Sequence, residues 1–153
     1  MPLTDPLTNL NVLIVDDDED FLDILTKLLE SIGITRVTRA RNGLHALEAI
    51  RSILKTIDCI ICDYRMDHGN GLEFLQHLRT GGVRGLRADT CFILLTGTAD
   101  LGVIKTAAEL DVNAFIVKPV TPEKLQETIK KARGRYFRVD AGKYAAVILP
   151  IFA

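Results

Sequence analysis

Two patterns of apolar residues alternate along this chain. Five short runs, most of them continuously apolar, are typical of strands that a parallel sheet buries on both faces. They occupy residues 12–15, 35–40, 57–62, 91–95 and 114–117. Between these runs, apolar residues recur at the three- and four-residue spacing of amphipathic helices. The alternation predicts five strand–helix units in one doubly wound α/β domain.

The helical patterns place specific apolar residues on the faces that should meet the sheet. They cover residues 18–32, 43–54, 71–79, 100–110 and 121–133. In the first helix, the stripe predicted to face the core consists of Phe21, Ile24, Leu25, Leu28 and Ile32. The apolar residues of the predicted second helix are Leu44, Leu47, Ile50 and Leu54.

Composition changes this picture little. The chain has 153 residues, 48% of them hydrophobic and 25% charged, which suits one globular domain with a core. A formal net charge of -1 gives no electrostatic case for binding nucleic acid or an anionic membrane. The first residues lack the basic and apolar segments of a signal peptide, and the longest apolar run is about half a membrane span. We therefore expect a cytoplasmic protein without nucleic-acid or membrane partners.

The three cysteines are Cys59, Cys62 and Cys91. Cys59 and Cys62 have the spacing of a metal or redox pair, but they lie inside a predicted strand. Residues three apart in a strand point to opposite faces of the sheet. We therefore interpret the cysteines as small buried thiols in a reducing cytosol.

Candidate chemistry lies directly after four of the predicted strands. Asp16 and Asp17 follow the first strand and Asp63 the third, whereas Thr96 follows the fourth and Lys118 the fifth. In open α/β sheets, ligands bind beyond the carboxyl ends of the strands, where the strand order reverses. In the flavodoxin-like order that point lies between strands 1 and 3, which carry the three aspartates.

Three neighbouring carboxylates repel one another unless a cation joins them, and oxygen ligands favour Mg²⁺. One carboxylate could then act as a nucleophile and form an acyl phosphate. Lys118 could neutralise phosphoryl oxygens, and Thr96 could hydrogen-bond to one of them. Taken alone, the acidic run 16–20 fits a solvated turn at a helix N-terminus equally well. The combination of these groups on the appropriate strands favours a phosphoryl site.

Over residues 11–133, these groups and their spacing resemble the receiver domain of bacterial two-component response regulators, the CheY-like family. The resemblance implies a flavodoxin-like, five-stranded parallel sheet in the order 2-1-3-4-5. It also implies that Asp63 accepts a phosphoryl group. Mg²⁺ would be held by Asp16, Asp17 and Asp63 together with the backbone carbonyl of Arg65.

The same resemblance implies a switch. Thr96 matches the switch hydroxyl of the family, and Phe115 matches its switch aromatic residue. Lys118 matches the phosphate-binding lysine, and its bond to Pro119 is usually cis in the family. Phosphorylation in the family remodels the face formed by the fourth helix, the fifth strand and the fifth helix.

One segment departs from the family pattern. Met66 and Gly71 match it, but Asp67 replaces a proline and Gly69 replaces a methionine. The replacements make the loop more flexible and more acidic. The side chain of Arg65, two residues after the acceptor, should border the site. We therefore predict that Arg65 and Asp67 modulate the phosphoryl group's lifetime.

Leu22 and Leu29 lie at the flank of the first helix's predicted core stripe. They either widen the core or form a docking surface for a histidine kinase or phosphotransfer protein. The second interpretation follows the family, which places its partner's helical hairpin along this helix.

The five units do not require the last residues of the chain. We therefore divide it into a receiver domain at 1–134 and a C-terminal extension at 135–153. The extension contains two β-prone runs around a turn and is too apolar for a typical disordered tail. It either packs on its own domain or forms an arm that pairs with a second subunit. We favour the arm, which predicts a homodimer.

Three functions fit these residues to different degrees. The leading hypothesis is a response regulator that takes a phosphoryl group from a histidine kinase or phosphotransfer protein onto Asp63. It would catalyse only its own phosphorylation and autodephosphorylation, and would signal through protein contacts. The alternative is a phosphorylation-independent pseudo-receiver, which need not keep the complete set of site residues. An aspartate-nucleophile phosphatase of the haloacid dehalogenase type fits Asp16 and Asp18 only loosely and leaves Asp63 without a role.

Overall fold

The computed structural model describes residues 7–53, 55–66, 69–98 and 100–150. Its strands are β1 (Asn11–Val15), β2 (Arg36–Ala40), β3 (Cys59–Asp63), β4 (Cys91–Thr96) and β5 (Ala114–Val117). They form one five-stranded sheet in the order β2-β1-β3-β4-β5, and every neighbouring pair is parallel. The prediction of a flavodoxin-like α/β fold with this strand order is confirmed.

Burial along the strands follows their place in the sheet. β3 and β4 lie inside the sheet and are buried at every position, which suits their nearly continuous apolar sequences. β2 lies at an edge, where its two arginines are exposed. Because all pairs are parallel, the carboxyl ends of the strands lie along one edge of the sheet.

The helices cover both faces of the sheet. They are α1 (Glu19–Ser31), α2 (Gly43–Ser52), α3 (Gly71–Arg79), α4 (Leu101–Glu109), α5 (Pro122–Arg133) and a short α6 (Ala141–Ala145). α1 and α5 pack on one face, whereas α2, α3 and α4 pack on the other. Leu54, predicted for the second helix, lies outside the described residues. Within the described part of the chain, no helix has the length and apolar character needed to cross a membrane.

Each helix begins after a side chain whose oxygen accepts a hydrogen bond from a backbone N–H of the first turn. These N-cap residues are Asp18, Asn42, Asn70, Asp100, Thr121 and Asp140. The caps satisfy N–H groups that have no partner inside the helix. They therefore set where the chain turns back after each strand.

The first helix buries a wider face than the predicted one, and of the predicted stripe Phe21, Leu28 and Ile32 are partly buried against the same core. Leu22, Leu25 and Leu29 are at most 1% exposed, whereas Ile24 is 52% exposed. The assignment of Leu22 and Leu29 to a partner-docking surface is therefore wrong, because both belong to the core beneath α1. The helix is apolar over a wide arc, and the two possible stripes differ by about a quarter turn. Packing against the sheet and α5 buries residues of both stripes, most completely Leu22, Leu25 and Leu29.

The C-terminal extension packs on its own domain over residues 135–150. The predicted β-prone runs are not strands; a short helix, α6, forms in this segment. Tyr144 is fully buried, and its hydroxyl donates a 2.6 Å hydrogen bond to Asp111 Oδ2. Gln76 Nε2 on α3 donates to the carbonyls of Tyr144 and Val147, each at 2.9 Å. A helix forms because Asp140 caps it and one aromatic side chain anchors it. Homodimerisation through residues 135–153 stays a prediction.

A buried arginine holds the same end of the domain together. Arg79, the last residue of α3, is fully buried. All five of its N–H groups have acceptors within 3.1 Å, namely the carbonyls of Leu110, Ala88, Thr90 and Asp111 and the side-chain oxygen of Asn113. Burial lowers the pKa of Arg79 to about 10, so the guanidinium stays charged at neutral pH. It ties α3 to the turns before β4 and β5.

We predict that Tyr144→Phe destabilises the protein mainly at neutral pH. Burial alone would raise the pKa of Asp111, but hydrogen bonds from Arg135 and Tyr144 and the charge of Lys143 hold it below its usual value. A carboxylate with a lowered pKa in the folded state stabilises that state above its unfolded pKa, and this contribution disappears as the pH falls through the folded pKa. Losing the Tyr144 hydroxyl should cost about 1–2 kcal/mol at neutral pH. The cost should shrink below about pH 4.

Urea unfolding at about pH 7 and about pH 3 measures the effect. Tyr136→Phe is the matched control, because that side chain is 91% exposed and should be indifferent to the loss of its hydroxyl. An equal loss of stability at both pH values would contradict the predicted dependence on the Asp111 carboxylate.

Candidate functional site

Three carboxylates meet at the carboxyl edge of the sheet. Asp16 and Asp17 follow β1, and Asp63 is the last residue of the neighbouring β3. One oxygen atom from each lies within 4.8 Å of the other two. Asp16 and Asp63 are buried, whereas Asp17 is half-buried. The structure therefore brings Asp63 beside Asp16 and Asp17, which lie far from it in the sequence.

Lys118 reaches this cluster from the carboxyl end of β5, the outer strand next to β4. It follows β5, and its Nζ lies 3.3 Å from Asp16 Oδ2 and 3.2 Å from Asp63 Oδ1. The ammonium also lies 4.1 Å from the centre of the Phe21 ring, an arrangement that favours a cation. The Lys118-Pro119 peptide bond is cis, as predicted.

Burial and the pairing of opposite charges shift the pKa values of Asp63 and Lys118 in opposite directions. Burial raises the pKa of Asp63 to about 6, and the charge of Asp16 acts in the same direction, whereas Lys118 opposes both. Burial alone would lower the pKa of Lys118, but Asp63 and Asp16 raise it above its usual value. The ammonium is therefore held in its charged form.

The donor set fits a hard divalent cation. When the three carboxylates and Lys118 are all ionised, two negative charges remain without compensation among them. Carboxylate oxygens at the distances found here are the ligands that Mg²⁺ prefers, and a dication would balance the excess charge. The residues that could hold it are Asp16, Asp17 and Asp63, with the carbonyl of Arg65 as the further oxygen implied by the resemblance.

A cleft opens beside the cluster and contains Thr96, the threonine to which the resemblance assigns a switch role. Its volume is about 300 Å³, and its lining includes Asp63, Arg65, Thr96 and Lys118. Thr96 ends β4, is buried, and donates a 2.7 Å hydrogen bond from its hydroxyl to the carbonyl of Thr98. The cleft is thus bounded by an acid, a hydroxyl and an ammonium, and it has room for a tetrahedral anion.

Phe115 and Thr96 lie on adjacent strands, and their side chains differ in exposure. Phe115 on β5 pairs in register with Leu94, two residues before Thr96. Its ring is 40% exposed, whereas Thr96 is buried. The aromatic ring therefore lies outward while the threonine hydroxyl is bonded to its own loop. A coupling between these two residues is what the resemblance implies.

The loop after β3 brings Arg65 to the mouth of the cleft. Arg65 is exposed and forms an isolated antiparallel bridge with Asn70. Asp67, also predicted to modulate the phosphoryl group, lies outside the described residues. Gly69 has a φ of +84°, which a proline or methionine would not readily adopt. The replacement of the family's methionine by glycine is therefore matched by the backbone found here.

Two residues gain a place in the site that the sequence alone did not reveal. Phe21 packs against the core as predicted, and its ring also contacts the ammonium of Lys118. Gly71 supports the acceptor strand: its N–H donates to the carbonyl of Tyr64 at 2.8 Å. A Cβ atom at Gly71 would lie 2.7 Å from the backbone oxygen of Asp63. The only sequence signal for Gly71 was its match to the family motif.

Comparison with known proteins places this geometry in a family. The model of the response regulator receiver domain matches residues 12–130. The chain belongs to this receiver family. The match includes every strand except the first residue of β1, and it covers all the site residues discussed above.

The receiver resembles both short and long curated proteins. It is 30% identical to a probable chemotaxis protein CheY of Rhizobium etli, over 82% of this chain and 93% of that protein. It is 31% identical to the chemotaxis protein CheY of Pseudomonas aeruginosa, over 80% of this chain and 94% of that protein. It is 34% identical to the Regulator of RpoS of Escherichia coli K12, over 77% of this chain but only 33% of that protein. The chain thus spans about a third or less of the longer relatives.

Solved structures show the same fold. The chemotaxis response regulator CheY4 of Vibrio cholerae superposes with a TM-score of 0.69 at 25% identity, over 80% of this chain and 98% of that one. A response regulator receiver domain protein from Clostridium thermocellum gives 0.70 at 26% identity, over 81% of this chain and 94% of that one. These similarities cover the receiver and leave part of the chain without a counterpart.

We predict that Gly71→Ala lowers the free energy of unfolding by about 1–3 kcal/mol, because the new methyl group must displace the backbone of Asp63 or the side chain of Leu94. Chemical unfolding measures the change. Gly97→Ala is the matched control, since a Cβ there has nothing within 4 Å. Equal stability of the two variants would contradict the close approach at Gly71.

Proposed function

We propose that this receiver is a phosphoacceptor response regulator. It takes a phosphoryl group from a phosphohistidine on a sensor kinase or phosphotransfer protein onto Asp63, and it signals through protein contacts. The observation that carries the proposal is the cluster of Asp16, Asp17 and Asp63 with the ammonium of Lys118 across it. The proposed setting is cytoplasmic, and the proposed metal is Mg²⁺.

The transfer follows from the groups that surround Asp63. A carboxylate oxygen of Asp63 attacks phosphorus, and the bond between phosphorus and the donor imidazole breaks with its electron pair passing to nitrogen. The pKa of about 6 leaves most of Asp63 ionised at neutral pH, so the nucleophile needs no separate base. Lys118 and Thr96 lie on the cleft wall, where they can receive the oxygens of the transferred group.

Asp16 and Asp17 determine how much negative charge surrounds an incoming phosphoryl group. Asp16 and Asp17 place negative charge beside Asp63, which by itself would repel an incoming phosphoryl group. When bound, Mg²⁺ supplies the charge neutralisation that lets carboxylates and phosphoryl oxygens share one site. Asp16 is held in place because its Oδ1 accepts a 2.9 Å hydrogen bond from the N–H of Asp18. On this proposal, the protein catalyses only its own phosphorylation and autodephosphorylation.

The switch proposal rests on Thr96 and Phe115. A phosphoryl group on Asp63 offers new acceptor oxygens to the Thr96 hydroxyl, in place of the Thr98 carbonyl that it contacts here. Movement of that hydroxyl would free space for the exposed ring of Phe115. The face formed by α4, β5 and α5 would then present a different surface to a partner.

The two alternative functions are less well supported. A pseudo-receiver does not need the close approach of Lys118 to both Asp16 and Asp63. A phosphatase of the haloacid dehalogenase type would need Asp18 as a catalytic acid beside the first strand. Asp18 instead caps α1, where it accepts hydrogen bonds from the N–H groups of Asp20 and Phe21.

We expect acetyl phosphate with Mg²⁺ to add one phosphoryl group to the wild-type protein and none to Asp63→Asn. Intact mass measured before and after incubation gives the result, and chelation of the metal should prevent the addition. Asp58→Asn is the matched control at the other end of the same strand, where its carboxylate accepts a hydrogen bond from the N–H of Asn11. Absence of an adduct on the wild type would favour the pseudo-receiver, and an adduct near Asp16 would favour the phosphatase.

We also expect Arg65→Ala to hydrolyse its aspartyl phosphate several-fold faster than the wild type. The long cationic side chain lies at the mouth of the cleft, so its removal admits water to the phosphoryl group. Loss of radiolabelled phosphate from the purified phosphoprotein measures the rate. Arg84→Ala removes an exposed arginine that does not line the cleft, and it should leave the rate unchanged. Identical rates for all three proteins would contradict a modulating role for Arg65.

A further inference from the structure

Two cysteines face each other at the end of the sheet opposite the carboxylate cluster. Cys59 is the first residue of β3, and Cys91 is the first residue of β4. They are register partners on these adjacent strands, and their Sγ atoms lie 3.5 Å apart. Cys62, by contrast, packs in the core on the other face of the sheet. The spatial pair is therefore Cys59 with Cys91, and not the Cys59-x-x-Cys62 pair that the sequence brings to notice.

The backbone at this pair suits a disulfide bond. Neighbouring strands lie about 4.8 Å apart, which falls within the range of roughly 4.4–6.8 Å between the Cα atoms of bonded cysteines. The two thiols point to the same face, so only their sulfur atoms need to approach one another.

A route from solvent to the pair exists at this end of the domain. Cys91 is 9% exposed and lines a cavity of about 470 Å³, whereas Cys59 is completely buried. The cavity wall also carries Arg133, whose charge favours an anionic sulfur at Cys91. A small oxidant can therefore meet Cys91 first, with Cys59 directly behind it.

The two thiols also differ in acidity. A hydrogen bond from the thiol of Cys59 lowers the pKa of Cys91; burial opposes this effect, and the charges of Arg133 and Arg79 support it. The same hydrogen bond and complete burial raise the pKa of Cys59. This asymmetry matches the two roles in thiol oxidation, in which one sulfur attacks the oxidant and the other resolves the product.

We propose that Cys59 and Cys91 are a reversible oxidation site, at which a peroxide converts the facing thiols into a disulfide between β3 and β4. The Cys91 sulfur attacks one peroxide oxygen, the O–O bond breaks, and one water leaves as Cys91 becomes a sulfenic acid. The Cys59 sulfur then attacks Cys91 sulfur, the S–O bond breaks, and a second water leaves. The two sulfurs together lose two electrons, which the peroxide gains. A dithiol reductant reverses the reaction.

The proposed oxidation site does not depend on phosphoryl transfer to Asp63, and it adds a property beyond the proposed function. β3 and β4 carry Asp63 and Thr96 at their other ends, so the crosslink joins the two strands that hold the acceptor and the switch hydroxyl. The disulfide would be a second covalent input at the far edge of the same strands.

The experiment treats the folded, full-length protein with hydrogen peroxide, blocks remaining thiols with an alkylating agent, and measures intact mass and a peptide map. We expect the wild type to lose two hydrogen atoms, to show one peptide crosslink between Cys59 and Cys91, and to return to three alkylatable thiols after dithiothreitol. Cys62→Ala should form the same crosslink. Cys91→Ala should form none.

Two results would overturn the proposal. One is a wild-type protein whose Cys91 passes to sulfinic acid without a crosslink. The other is a peptide map that joins Cys62, or two copies of the chain, in place of Cys59 and Cys91. The wild-type map decides the matter even if a variant folds poorly, and acetyl phosphate labelling of Asp63 is measured separately, so failure of one proposal leaves the other standing.

Discussion

The repulsion among three neighbouring carboxylates is the constraint on which this structure depends. Asp16, Asp17 and Asp63 bring oxygen atoms within 4.8 Å of one another at a largely buried edge. Lys118 neutralises part of this charge and contacts two of the carboxylates. It follows β5, which lies three strands from β1 in the sheet. The parallel order of the sheet is what allows a residue after β5 to reach residues after β1 and β3. Changing that order would separate the charges that make the site.

The opposite end of the domain is stabilised by a different polar arrangement. Arg79 is saturated by backbone and side-chain acceptors, and Asp111 accepts from Arg135 and Tyr144. These contacts secure the extension to α3 and to the turn before β5. Because the groups are paired with each other, this end is suited to holding shape, whereas the carboxylate edge keeps uncompensated charge for a ligand. The carboxylate edge thus keeps charge for a ligand, whereas the polar groups of Arg79, Asp111 and Tyr144 are paired within the protein.

Prediction from the sequence succeeded for residues whose position in the fold is fixed by the strand that they end. Asp63 and Thr96 end buried strands, so their strands alone position them, and the family resemblance supplied the proposed roles. The sequence left Leu22 and Leu29 open between the core and a docking surface, because α1 is apolar over a wide arc, and the structure places both in the core. Prediction failed for the extension, where β-prone composition was overridden by a helix cap at Asp140 and the anchoring of Tyr144.

The amino-acid pattern by itself determined the strand–helix alternation, the parallel sheet and the identity of the charged groups along its edge. These features depend on local spacing and on the need to bury continuous apolar runs, which a linear sequence records directly. Only the tertiary structure decided that Lys118 contacts both Asp16 and Asp63, that Phe21 lies against that ammonium, and that Cys59 faces Cys91. Such contacts join residues distant in the chain, and their distances depend on how the helices and strands pack.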